Sequence, residues 1–138
     1  MASDLSGAKR TGGIAMEFKD NQAIYLQIAD LFCENILSGK WKPGDRIPSV
    51  REMAVTIEVN PNTVMRTFTY LQEKAIIFNK RGIGYFVSED GFQKTKELKK
   101  KDFIEQELPE VFKTMDLLGM GLDDLQNLYE LYLKEADS

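Results

Sequence analysis

Between Asn21 and Gly39 the apolar residues Ile24, Ile28, Leu31, Phe32 and Ile36 return every three or four positions, with polar residues between most of them. That spacing gathers them on one face and predicts an amphipathic helix. Ser38-Gly39 ends it, and Lys40-Trp41-Lys42-Pro43-Gly44-Asp45 reads as a Pro-Gly turn. Arg46-Ile47-Pro48 leaves room only for a very short strand. Ser49 follows, with Glu52 three residues on to close a capping box. Val50, Met53, Ala54 and Ile57 then share one face of a short helix. Glu58-Val59-Asn60 makes a turn, after which Asn60 can cap and Pro61 can open another helix. Val64, Phe68 and Leu71 form its buried face, with Ala75 near its end. Asn62, Met65, Arg66 and Thr69 form the opposite one.

The pattern then changes period. Ile76-Ile77-Phe78-Asn79-Lys80 and Gly84-Tyr85-Phe86-Val87-Ser88 flank Arg81-Gly82-Ile83, a hairpin signal. Lys94 to Lys101 is a polar, basic helical stretch, and Lys99-Lys100-Lys101 reads as a solvated face. Ile104, Leu108, Val111, Phe112, Met115 and Leu118 fall again at helical spacing, with an interruption or kink expected at Pro109. Gly119-Met120-Gly121 breaks that helix. A last one runs from about Leu122 to Glu135, with Leu125, Leu128, Tyr129 and Tyr132 on one side and Asp123-Asp124 favourable in its first turn. Residues 1–15 show no such periodicity. They read as a disordered leader or a remnant of cloning, with Met16 as a natural start. The other reading is an ordered arm that brings Lys9 and Arg10 to DNA.

Length and composition narrow the chemistry. A chain of 138 residues suffices for one compact domain and an appendage, not for two full domains. It has no histidine, which removes imidazole-based nucleophilic machinery, proton shuttles and His-containing metal sites. Its one cysteine, Cys33, allows neither an intrachain disulfide nor a thiolate zinc site, and reads as a small buried hydrophobe. No catalytic residue, metal or cofactor is expected, and the chain does not read as an enzyme. A lone cysteine without a secretory signal suggests a reducing compartment, hence the cytoplasm. No apolar run approaches the roughly 20 residues of a membrane helix.

The net charge of −4 argues at first against a polyanionic partner. Divided along the chain, it reverses that argument. Residues 1–39 carry −2, residues 40–88 carry +4, residues 89–101 carry +2 and residues 102–138 carry −8. The middle is basic and the tail acidic, so a duplex should attract the one and repel the other.

Helix, turn, short helix, tight turn, helix and hairpin, in that order, make a winged helix-turn-helix, which sets its last helix into the DNA major groove. The fold class expected is mainly α (α+β). A winged helix-turn-helix spans residues 16–90, and residues 91–138 form a short helical dimerisation segment. The hairpin tip Lys80-Arg81-Gly82-Ile83-Gly84 sets two cations beside two glycines, which permit a tight reversal and close approach to a phosphate.

Over about Gln22 to Asp90 the chain resembles the GntR family of bacterial transcription regulators. The resemblance is carried by Ile24-Tyr25-Leu26-Gln27-Ile28, Gly39, Pro43-Gly44-Asp45-Arg46-Ile47-Pro48-Ser49-Val50-Arg51-Glu52, Val59-Asn60-Pro61-Asn62-Thr63-Val64 and Arg81-Gly82-Ile83-Gly84-Tyr85-Phe86-Val87. The Asn-Pro-Asn-Thr-Val run and the short two-helix tail look like the YtrA branch. The resemblance implies DNA contact by Arg51, by Asn62, Thr63 and Arg66 on the recognition helix, and by Gly82 in the wing. Glu58 and Ala75 stand where the family commonly has glycine, and Pro61 and Met65 where other branches carry basic contacts.

The DNA-binding set is therefore Ser49, Arg51, Asn60, Asn62, Thr63, Arg66, Lys80, Arg81, Gly82 and Gly84. Arg51, Lys80 and Arg81 are read as phosphate contacts. For Asn62 and Thr63, helix capping by a short polar side chain and contact with bases or phosphates both stay open, and the two can coexist. For Arg66, bidentate contact to guanine and contact to phosphate both stay open. The C-terminal helices cannot bury Ile104, Leu108, Val111, Phe112, Met115, Leu118, Leu125, Leu128 and Tyr132 alone. A second copy is the economical partner. A twofold dimer would meet half-sites of a pseudo-palindromic double-stranded operator about 34 Å apart, or a multiple of that. The expected role is that of a repressor, and the YtrA resemblance implies control of a nearby transporter operon. Two other readings stand beside it. One is a winged-helix protein-interaction module without DNA binding. The other is a small-molecule sensor whose unidentified ligand lies at the dimer interface among Phe112, Met115 and Tyr132.

Overall fold

In the computed structural model the backbone is described for residues 9–11, 14–16 and 22–137, and side chains for residues 22–137. The chain falls into two compact units, the first ending at Leu98 and the second starting at Lys99.

Near the start, strands β1 (Lys9–Thr11) and β2 (Ile14–Met16) pair antiparallel, Lys9 opposite Met16 and Thr11 opposite Ile14. The sequence reading assigns no element there. Residues 12 and 13, between the two strands, lie outside the described residues. The rest of the leader, and the side chains of Lys9 and Arg10 on which the arm reading depends, lie outside the described residues.

Helix α1 (Ile24–Leu37) buries Ile28, Ala29, Phe32, Cys33 and Ile36, while Ile24, at its first turn, stays exposed. Helices α2 (Val50–Ile57) and α3 (Pro61–Glu73) add Met53, Ala54, Ile57, Val64, Phe68 and Leu71 to the same core. Strands β3 (Ile77–Lys80) and β4 (Gly84–Val87) form the wing, with Ile77 opposite Val87 and Lys80 opposite Gly84. The short strand expected at Arg46-Ile47-Pro48 is a single bridge, Arg46 to Phe86. It is reinforced on either side. Ile47 N–H donates to the Tyr85 carbonyl and Val87 N–H to the Asp45 carbonyl, both at 2.9 Å.

A series of edge-to-face aromatic contacts crosses this core. Trp41 meets Phe32 at 5.1 Å, Phe32 meets Phe68 at 5.3 Å, and Phe68 meets Tyr85 at 4.7 Å. Each such pair contributes roughly 0.5–1.5 kcal/mol beyond its buried area. The series ties the Pro-Gly turn, α1, α3 and the wing into one body.

Helix α4 (Gly91–Asp102) begins within this first unit. Thr95 is fully buried and its hydroxyl donates to the Gly91 carbonyl at 2.6 Å, while Leu98 packs against the core. Residues 91–98, which the sequence reading assigns to the tail, thus belong to the winged-helix body.

In the second unit a π turn (Phe103–Glu107) leads into α5 (Leu108–Leu118). Leu108 N–H donates five residues back, to the Phe103 carbonyl. The cause is Pro109, the second residue of α5, which lacks an N–H and crowds the carbonyl four residues before it. The kink expected at Pro109 is therefore a widened turn just ahead of it. Gly119, at φ 70°, caps α5, and Met120 N–H donates to the Met115 carbonyl at 2.9 Å. Helix α6 (Leu122–Ala136) follows, its first turn held by the Asp124 carboxylate, which accepts from Gly121 N–H at 2.9 Å. Among the described residues of this unit none is buried.

Candidate nucleic-acid interface

The start of α2 is closed by two reciprocal hydrogen bonds. Glu52 N–H donates to the Ser49 hydroxyl at 3.1 Å, and Ser49 N–H donates to the Glu52 carboxylate at 2.8 Å. That backbone N–H, and secondarily the Ser49 hydroxyl, hold the Glu52 carboxyl below its ordinary range, with a small contribution from the Arg46 charge. Arg51 is exposed on the same first turn. Asn60 does for α3 what Ser49 does for α2, its Oδ1 accepting from Asn62 N–H at 2.7 Å. In both caps the side-chain acceptor is committed; the Ser49 O–H is also turned to the Glu52 carboxylate, whereas the Asn60 amide NH2 is left as a donor. Donors are what a phosphate oxygen requires, so capping and phosphate contact are compatible in Asn60. Asn62 is exposed and Thr63 half-buried on the first turn of α3.

Arg66 lies one turn further along α3, exposed, with its guanidinium carbon 4.1 Å from the centre of the Tyr25 ring. Stacking engages the face of the guanidinium and leaves the N–H groups in its plane. The Thr67 hydroxyl donates to the Tyr25 carbonyl at 2.7 Å and joins α3 to α1 beside this contact.

The wing tip closes with Ile83 N–H donating to the Lys80 carbonyl at 2.9 Å. Gly82, third in that turn, has φ 79°, the left-handed conformation that favours glycine there. Arg81 is exposed, and Lys80 Nζ lies 4.9 Å from the Phe86 ring centre. Gly84 is not at the tip but opens β4, where the Arg46 side chain fills the space beside it. Arg51, Arg66, Lys80 and Arg81 have no carboxylate within 4.0 Å among the described residues.

Sequence reasoning missed Tyr25 and Arg46 as parts of this surface. Tyr25 stands inside a quoted motif, but helical periodicity gives no hint that an arginine 41 positions later stacks on it. Arg46 is read only as the start of a very short strand and as one residue of the Pro43–Glu52 motif.

The tail residues named for dimerisation are Ile104, Val111, Phe112, Leu118, Leu128 and Tyr132, all exposed, and Leu108, Met115 and Leu125, half-buried. Phe103, Leu117, Leu122, Tyr129, Leu131 and Leu133 are exposed apolar residues outside that set. The concavity between α5 and α6 is lined by Glu110, Val111, Thr114, Met115, Met120 and Leu125. Of the three residues expected around a ligand only Met115 lines it; Phe112 and Tyr132 do not. Among the described residues no cluster of acidic or cysteine side chains has the arrangement of a metal site, and no helix is long and apolar enough to cross a membrane.

The model of the bacterial regulatory proteins of the GntR family matches residues 24–87. The chain is 38% identical over 110 residues to YhcF, an HTH-type transcriptional regulator of Bacillus subtilis, across 79% of this chain and 88% of YhcF. It is 35% identical over 112 residues to YtrA, an HTH-type transcriptional repressor of the same organism, across 81% of this chain and 85% of YtrA. The crystal structure of a GntR-family transcriptional regulator from Bacteroides thetaiotaomicron resembles it with a TM-score of 0.68 and 41% identity. That match covers 83% of this chain and 99% of the other.

Proposed function

This chain belongs to the GntR family of bacterial regulatory proteins, on its YtrA-like branch, and from that membership we propose that it is a homodimeric repressor of a pseudo-palindromic operator. Its relatives are transcription regulators rather than enzymes, and the chain is a DNA-binding regulator of the same kind. The observation that carries the finer reading is the set of cations without a carboxylate partner among the described residues, Arg51, Arg66, Lys80 and Arg81, beside an Asn60 cap that keeps its amide donor. In this reading Ser49, Arg51, Asn60, Lys80 and Arg81 engage phosphates, and Gly82 and Gly84 shape the wing that delivers the last two. Asn62, Thr63 and Arg66 face base edges or the phosphates that frame them.

The dimer is supported by the second unit itself. Its two helices carry Phe112, Leu118, Leu128 and Tyr132 each more than half exposed, with no described residue buried. Exposed apolar faces of this extent call for a partner surface, and twofold association covers both copies at once. The acidity that favours an interaction module without DNA binding is concentrated in residues 102–138, away in sequence from the helix pair. Repression is carried over from the relative YtrA of Bacillus subtilis, a transcriptional repressor.

The test is selection of bound sequences from a random duplex library, followed by salt titration of the winning duplex. A twofold-symmetric consensus is expected, and a reporter driven through it should fall in output when the protein is present. Replacing Lys80 and Arg81 by Ala should flatten the salt dependence by up to about two phosphate contacts. No enriched sequence would sink the operator reading, and an unchanged salt slope would take the wing out of the interface.

A further inference from the structure

We propose that Tyr25, on α1 and outside the helix pair, is a positioning residue for DNA recognition: its ring holds the Arg66 guanidinium in place for the duplex. The inference rests on α3 being the recognition helix. An exposed arginine on a helix face samples many rotamers, and ordering it on DNA costs conformational entropy. Here the guanidinium already sits 4.1 Å from the Tyr25 ring centre. The contact uses the face of the group, so its in-plane N–H donors are not consumed by it.

The platform is itself fixed. Tyr70 meets the Tyr25 ring edge-on at 6.2 Å and 73°, and the Thr67 hydroxyl anchors the Tyr25 carbonyl at 2.7 Å. Tyr25, Arg66 and Tyr70 line an open concavity with Met65, Thr69 and Glu73. A carboxylate in that lining disfavours an anion lodged within it. Arg66 is therefore presented by this face rather than serving as the floor of a phosphate pocket.

A double-mutant cycle tests the assignment, using a duplex selected by the wild-type chain from a random library. Tyr25→Leu should weaken binding about fivefold, and Tyr25→Phe, which keeps the ring face, should return it to within about twofold of wild type. In an Arg66→Ala background Tyr25→Leu should add nothing. Equal losses in both backgrounds would mark Tyr25 as a fold residue only and overturn the proposal. Thermal unfolding is followed for every variant, and Tyr25→Met, similar in bulk but without a π face, replaces Tyr25→Leu if that chain does not fold. Unchanged binding by Tyr25→Leu overturns this inference alone. If the wild-type chain selects no sequence, the recognition-helix reading and this inference fall together.

Discussion

The Arg46 side chain occupies the space that a side chain at Gly84 would need: a Cβ there would meet Nε at 2.8 Å and Nη2 at 3.3 Å. Gly84 also has φ 145°, a conformation that L side chains rarely adopt. Gly84→Ala should therefore cost about 1–3 kcal/mol, measured by chemical denaturation. The Arg46→Ala/Gly84→Ala double variant should recover only part of that loss, because removing the guanidinium leaves the backbone strain. Full recovery would show that the clash alone sets the cost.

The reciprocal pair at Ser49 and Glu52 makes a second prediction. Ser49→Ala should lower stability by about 1 kcal/mol through loss of the cap. Glu52, held below its ordinary value of 4.5, stabilises the fold fully above that value. Its contribution fades as pH falls through the lower folded value. Glu52→Gln should remove this part of the acid-side loss in a pH series of thermal midpoints. An identical acid limb in both proteins would refute the assignment.

Glu58 and Ala75 are the non-glycine residues with positive φ among the described ones, at 55° and 60°. Each ends a helix of the DNA-binding unit, and at both positions the family commonly has glycine. A left-handed non-glycine residue costs roughly 1–2 kcal/mol, offset in part by the greater chain entropy that glycine loses on folding. Glu58→Gly and Ala75→Gly should each stabilise the protein by about 0.5–1 kcal/mol in denaturant titrations. Destabilisation by either would mean that the side chain makes a compensating contact.

Where the chain is cut should matter by only a few residues. A chain ending at Leu98 keeps Thr95 and Leu98 in the first core and should be folded and monomeric by light scattering. One ending at Ser88 removes both and should unfold at lower temperature. A stable dimer from the chain ending at Leu98 would contradict the role given to α5 and α6.

Most of the first unit was legible in the sequence because its signals are local. Ser49 with Glu52, and Asn60 with Pro61, announce helix starts within four residues, and the Phe32, Phe68 and Leu71 positions follow helical period. What was not legible depends on contacts between distant segments or on weak signals. Thr95 reads as polar because only its hydrogen bond to Gly91 makes burial tolerable. Leu98 is a single apolar residue among lysines. Tyr25 and Arg66 meet through the crossing of α1 and α3, which no spacing encodes. The π turn was half visible, since Pro109 announces a disturbance but not whether the helix bends or widens.

The bridge from Arg46 to Phe86, with the flanking bonds from Ile47 and Val87, stitches the wing to the residues that lead into α2. If wing and helix pair together read DNA, as proposed, these bonds oppose their separate adjustment to grooves of different width. Any misfit between protein and duplex must then be absorbed by the DNA. On that proposal, operators whose sequence bends or narrows easily should be favoured at base pairs the protein never touches.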